Sequence, residues 1–222
     1  MEKEILFHKL VEVQNYFKQE KEKHYLVACK EEHLECFAES LVNKSSIVEL
    51  NAPYFEEEII IDRSICVDSF SFLNEKMELL KTVKHFEKTM INDFLIVLGQ
   101  RLTSATIRTE EGLPPLDQEV FKVSFNSYNT QISKAVRAFE KHSERTKNSF
   151  WGVIKGNPCE KEEKVKELLW HILQHKTWWN VFYHYKHELI YEVRISSGHG
   201  ARWKKNNLEF IGFVEPFLNS KT

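Results

Sequence analysis

The stretch WWNVFYHYKHELIYEVRISSGHGARWKKNNLEFIGFVEP, Trp178 to Pro216, decides the reading of the fold. It holds four runs rich in β-branched and aromatic residues: WWNVFYHY, ELIYEVRI, ARW and LEFIGFV. Short polar or glycine-containing breaks separate them, which is the pattern of an antiparallel meander. In the second run Leu189, Tyr191, Val193 and Ile195 alternate with Ile190, Glu192, Arg194 and Ser196. One face of that strand is therefore apolar, and the other sets an acid beside a base. Trp178 and Trp179 must point to opposite sides, so at least one belongs in the core and the other is free to cap a groove.

Upstream, Asn157 precedes Pro158 and a run of acidic residues. A capping side chain, a proline in the first turn and negative charge at the positive end of the dipole mark a helix start. That helix is expected to reach about Lys176, with Val165, Leu168, Leu169 and Ile172 inward. A second helix is expected from Asn129 to Lys147, with Ile132, Ala135, Val136 and Phe139 on its apolar face.

The front half reads as mixed. A helix over residues 2–22 carries Ile5, Leu6, Leu10, Val13 and Phe17. HYLVACK reads as a strand and EEHLECFAESLVN as a helix. SIVEL and EIIIDRSICV read as strands, since both are rich in Ile and Val. A long helix from about Phe72 to Leu102 follows, with Leu73, Met77, Leu80, Val83, Met90, Phe94, Leu98 and Leu102 at helical spacing. Gly112, Pro114 and Pro115 break the chain there, and EVFKVSF then alternates like a strand. The expected class is α+β: a mixed front half with a long helix, and a C-terminal antiparallel sheet packed on helices. The chain is one compact unit or two lobes, an acidic one over residues 1–112 and a basic, aromatic one over residues 113–222.

The 222 residues are 42% hydrophobic and 29% charged, with 7 Gly and 5 Pro. That composition excludes a disordered chain and supports a substantial core, rich in the 16 Phe and 5 Trp. The longest apolar run, FLIVLG at Phe94 to Gly99, is too short to span a bilayer, so no membrane association is expected. Cys29, Cys36, Cys66 and Cys159 form no C-x-x-C pair, and no apolar leader follows Met1. A reducing setting, cytoplasm or nucleus, is expected.

Charge is unevenly distributed. Residues 126–222 carry 16 Lys and Arg against 10 Asp and Glu, whereas the rest of the chain carries 15 against 23. Such a split marks either a half that faces a polyanion or two lobes that attract one another.

Three constellations could carry chemistry. In the first, Gly198 and Gly200 flank His199, and Arg202 and Trp203 follow at once. A tight glycine turn could present its amides to an anion, Arg202 could fork onto it, and Trp203 could stack a ring. His199 could shuttle a proton near neutral pH. The alternative is a plain β-turn with Trp203 in the core. The carboxylates worth watching are Glu192 and Glu215, near Arg194 or Arg202, either as catalytic groups or as structural ion pairs.

The second constellation is a basic stripe. Lys134, Arg137, Lys141 and Arg145 fall on one helix face, opposite the apolar side, as a phosphate-contacting row or an ordinary solvated face. The third is HILQH, where His171 and His175 at i,i+4 could share a metal ion but lack a third ligand at defined spacing. No phosphate loop, dinucleotide fingerprint or nucleophile elbow is present, and Cys29 reads as an inert buried thiol.

The function expected is binding of a phosphate-bearing ligand, nucleic acid or nucleotide, by the basic aromatic half. Acid/base chemistry would fall to His199 and Glu192, and binding to Arg194, Gly198, Gly200, Arg202, Trp203 and the Lys134–Arg145 stripe. No cofactor is expected. The alternatives are a non-enzymatic subunit that docks an acidic protein partner and a metal-assisted hydrolase using His171 and His175.

Overall fold

The computed structural model describes residues 2–44, 49–143, 150–186 and 188–217. Eight α-helices and a four-stranded antiparallel sheet are present among them, an α+β architecture with all strands in the C-terminal part. The chain divides into two compact units. The first comprises Met1–Leu50, Ile59–Arg101 and Ile107–Leu113; the second comprises Asn51–Glu58, Leu102–Thr106 and Pro114–Thr222. No helix of the described residues is long and apolar enough to cross a membrane.

The first unit is helical. It contains α1 (Lys3–Gln19), α2 (Glu31–Val42), α3 (Arg63–Asp68), α4 (Leu79–Phe86) and α5 (Ile91–Val97). Leu6, Leu10, Val13 and Phe17 of α1 are buried with Leu34, Phe37 and Ala38 of α2. Phe37 stacks on Phe94 at 4.3 Å.

Several expected elements differ here. HYLVACK is a 3-10 turn over Tyr25–Ala28. The Gln14 side chain donates to the carbonyls of Leu26 and Cys29 at 2.6 and 2.8 Å, so these groups are satisfied without a neighbouring strand. Burial pushes the Cys29 thiol up to about 12, so it is inert near neutral pH. EIIIDRSICV contains α3, because Asp62 caps it by accepting from the Ser64 amide at 3.0 Å. Ser46, Ile47 and Val48 of SIVEL lie outside the described residues, and Glu49 and Leu50 are not in a strand.

The long helix over residues 72–102 is three short pieces: a 3-10 turn at Ser71–Asn74, then α4 and α5. The backbone turns extended at Glu75. At the second break the Thr89 hydroxyl donates to the Phe86 carbonyl at 2.8 Å and meets the Tyr25 hydroxyl at 2.6 Å. Side chains thus take over groups that a continuous helix would pair internally. Leu80 and Met90 of the expected apolar stripe are consequently exposed.

The second unit contains α6 (Asp117–Ser124), α7 (Lys134–Ser143) and α8 (Pro158–Gln174). Its sheet comprises β1 (Lys176–His184), β2 (Glu188–Ile195), β3 (Gly200–Lys204) and β4 (Phe210–Val214), in the order β1-β2-β3-β4. The start of α8 follows the sequence signal closely: the Asn157 side chain accepts from the Glu160 amide at 3.0 Å, and Glu160 reaches back to the Asn157 amide. EVFKVSF is helix α6 rather than a strand. Glu119 accepts from the Leu116 amide at 3.2 Å, and Val120 and Ser124, four residues apart, are the buried positions. On a helix i and i+2 diverge by about 200° while i and i+4 share a face, so the buried pair Val120 and Ser124 fits the helix that the cap begins.

Trp179↔Val193, Tyr191↔Trp203 and Ala201↔Phe213 are cross-strand partners, so these residues share one face of the sheet. α8 packs against β2 and β3 with Val165, Leu169, Ile172 and Leu173 buried, while α7 packs against β4 with Ala135, Val136 and Phe139 buried. Asn180↔Glu192↔Arg202↔Gly212 lie across the other face. That face is covered too: Phe55 packs edge-on against Trp178 and stacks on Phe217. Both Trp178 and Trp179 are therefore core residues, and neither caps a groove.

Candidate functional site

The glycine pair has a structural explanation. Gly198 takes φ +86° and closes a tight hairpin between β2 and β3. Its amide donates to the Ile195 carbonyl at 2.8 Å, and the Ile195 amide donates to the His199 carbonyl at 3.0 Å. At Gly200 a Cβ would overlap the Val193 carbonyl oxygen. The Gly198 amide is thus spent inside the turn, and both glycines are buried, so no open anion cradle forms at Gly198 and Gly200. Trp203 is fully buried and donates its indole N–H to Ser124 Oγ at 2.9 Å; it is core and not a stacking surface.

Of the two expectations for Glu192 and Arg194, the structure contains the ion pair. Glu192 is 1% exposed, and each of its oxygens is held by a guanidinium: Oε1 by Arg194 Nε at 2.6 Å, Oε2 by Arg202 at 2.5 Å. A carboxylate enclosed in this way anchors two arginines and is not placed to take a substrate proton. Arg194 also donates to the carbonyls of Gly198 and Glu215, both at 2.6 Å, and the Phe217 ring covers its guanidinium at 3.8 Å. Burial depresses its pKa and Glu192 opposes that shift. Nη1 of Arg194 therefore ties together two chain segments, the His199 turn and Glu215.

A groove of about 390 Å³ opens where α7 meets the edge strand β4. Lys134, Arg137, Lys141 and His142 line one wall, and Arg202 lies on the other. The basic stripe of α7 thus faces a recess rather than bulk solvent alone; Arg145, its fourth member, lies outside the described residues. Ala138 and Gly212 face one another at the bottom: a Cβ on Gly212 would meet only the Ala138 methyl, at 3.9 Å. Gly212 stands opposite Arg202 in the register, and Arg202 lines the groove. Lys134 and Lys204 grip Glu209 at 3.1 and 2.8 Å and lower its pKa to about 2. Among the described residues Lys141 has no ion-pair partner.

At one end of the groove, His142 Nδ1 lies 2.9 Å from Glu215 Oε1, which also accepts from the Trp151 indole at 2.7 Å. The other oxygen of Glu215 faces His199 Nε2 at 3.5 Å. His199 Nδ1 meets Ser197 Oγ at 3.0 Å, and its ring stacks on Phe150 at 4.1 Å. Burial lowers the His199 pKa, with Glu215 opposing. Burial also works to raise the Glu215 pKa, but the His142 and Trp151 hydrogen bonds and the nearby imidazoles outweigh it, and the net shift is downward. Nδ1 of His199 thus meets Ser197 while Nε2 faces Glu215. His142 is also one of the residues that line the groove.

At the other end, Tyr128 stands on the loop that leads into α7, with the Arg137 guanidinium 5.9 Å from its ring centre. Neither His142 nor Tyr128 is singled out by the sequence pattern. The available signal for His142 is its place beside Lys141 on the basic stripe; nothing local links it to a carboxylate 73 residues away. His171 and His175 stack on each other at 4.2 Å, with His175 Nδ1 against the His171 carbonyl. Among the described residues no group of three or more His, Cys, Asp or Glu converges as a metal set.

Residues 122–215 match the family model of the CdiA C-terminal tRNase toxin domain. The matched stretch is less than half of the chain. It contains α7, α8, the whole sheet, and every groove and Glu215-cluster residue from Tyr128 to Glu215. No curated protein and no solved structure matches the chain.

Proposed function

We propose that the second unit binds RNA in the α7–β4 groove and cleaves it, with transfer RNA as the substrate class. The observation that carries this reading is the His142–Glu215 pair at the end of a basic groove, 2.9 Å between Nδ1 and Oε1. The match of the same residues to a family named for tRNase toxins supports it.

The chemistry follows from the donor set. With its Nδ1–H given to Glu215, neutral His142 presents Nε2 as a base; the carboxylate fixes the tautomer and stabilises the imidazolium that forms. Nε2 takes the proton of a ribose 2′-hydroxyl, and the 2′-oxygen attacks the adjacent phosphorus. The bond from phosphorus to the 5′-oxygen breaks, and His142 returns the proton to that oxygen. One P–O bond forms and one breaks, leaving a 2′,3′-cyclic phosphate and a 5′-hydroxyl. Arg202 and Lys141, on opposite walls, supply the positive charge that the phosphorane oxygens require. Arg137 and Lys134 bind neighbouring phosphates.

Incubating the purified chain with transfer RNA and analysing the product ends tests the proposal. The expected outcome is cleavage to cyclic-phosphate ends, with DNA left intact. His142→Ala and the more conservative His142→Gln should each slow cleavage by about 10²-fold or more, the size of a general-base contribution. Intact RNA after long incubation, or cleavage by folded His142 variants at the native rate, would remove the proposal.

A further inference from the structure

We propose that Tyr128 is a stacking platform for an unpaired base, so that the groove takes a single-stranded stretch of RNA and rejects a duplex. This rests on the RNA reading above for the class of ligand.

Tyr128 is 55% exposed at the groove's far end from Glu215. Its loop is tightly tied. The Tyr128 and Asn129 amides both donate to the Ile132 carbonyl at 3.0 and 3.2 Å, and the Asn129 side chain accepts from the Gln131 and Ile132 amides at 2.8 and 2.9 Å. The Lys134 amide closes the loop onto the Asn126 carbonyl at 2.9 Å. An exposed ring held on a stiff loop loses little freedom when a base stacks on it, and every base offers a π-face. Arg137 stands beside the ring at 5.9 Å, able to meet the phosphate of the stacked nucleotide.

The groove's shape excludes paired RNA. Its floor is Ala138 and Gly212, with Phe210 and Phe213 beside them, recessed behind long basic side chains. A volume of about 390 Å³ suits a nucleotide-sized group, not a helix. Bases inside an A-form duplex have both faces already stacked, and the deep, narrow major groove keeps side chains from their edges. Tyr128 stands beside Arg137, and the five steps of helix from Arg137 to His142 rise about 8 Å. The stacked base is therefore a near neighbour of the scissile bond and not part of it.

Binding is measured by fluorescence anisotropy with a labelled, unstructured 2′-O-methyl RNA, which cannot be cleaved, alone and annealed to its complement. The single strand should bind at least about tenfold more tightly than the duplex, and Tyr128→Ala should remove on the order of tenfold or more of that affinity. Tyr128→Phe should retain it, and duplex binding should be the same for all three proteins. Equal affinity for the two forms, or an unaffected Tyr128→Ala, overturns the inference. Cleavage of unmodified RNA is followed separately. RNA that binds through Tyr128 but stays intact overturns the nuclease reading alone, whereas RNA cut equally fast by native protein and Tyr128→Ala overturns the stacking platform alone.

Discussion

Replacing Glu192 by Gln tests whether the buried Arg194–Glu192–Arg202 group organises the second unit. Glu192 is 1% exposed, and the side chains of Arg194 and Arg202 are 5% and 23% exposed. Removing one member of a buried ion pair costs about 3–5 kcal/mol, because the remaining charge stays desolvated without its counter-charge. Here two features reduce that figure. Arg194 retains the Gly198 and Glu215 carbonyls as acceptors, and Arg202 can turn into the groove. The lower end, about 3 kcal/mol, is therefore expected. All five tryptophans, at positions 151, 170, 178, 179 and 203, lie in the second unit. Tryptophan fluorescence during urea unfolding thus reports this unit. At a slope of about 1–3 kcal/mol per molar urea, the midpoint should fall by roughly 1–3 M. A shift below about 0.3 M would mean that the two guanidinium groups do not depend on the carboxylate, and the reasoning would fail.

Three other outcomes are expected. Ser124→Ala leaves the buried Trp203 indole N–H without its acceptor and should cost about 1–3 kcal/mol in the same assay, while Trp203→Phe combined with it should cost less than the sum of the two. The His199 pKa lies below its ordinary 6.5 and that of Glu215 below 4.5, so the unfolded chain binds more protons as pH falls through each range. Stability of the second unit should therefore be greatest above pH 6.5, decline below it through His199, and decline again below 4.5 through Glu215; His199→Phe should flatten the upper step in melting curves taken from pH 8 to 4. Ala138→Leu fills the groove floor without changing charge, and should weaken RNA binding in filter assays while leaving the salt dependence of the remaining binding unchanged.

Features decided within a few residues were legible in the sequence. Asn157 and Pro158 start α8 as the capping pattern requires, the four aromatic and β-branched runs form the meander, and α7 buries Ala135, Val136 and Phe139 opposite its basic side. The front half was less legible because its short apolar runs satisfy helix and strand alike. Side chains distant in sequence, such as Gln14 serving Leu26 and Cys29, settled which carbonyls needed a ladder. The site lay further out of reach. Alternation placed Glu192 and Arg194 on the less apolar face of β2, but only packing on that face showed them enclosed, with Phe217 closing over Arg194. The pairing of His142 with Glu215 joins α7 to the end of β4, and the recess depends on two small residues, Ala138 and Gly212, meeting across that junction. Local periodicity describes one element at a time, whereas a site is a coincidence of several elements in space, set by how their buried faces fit together.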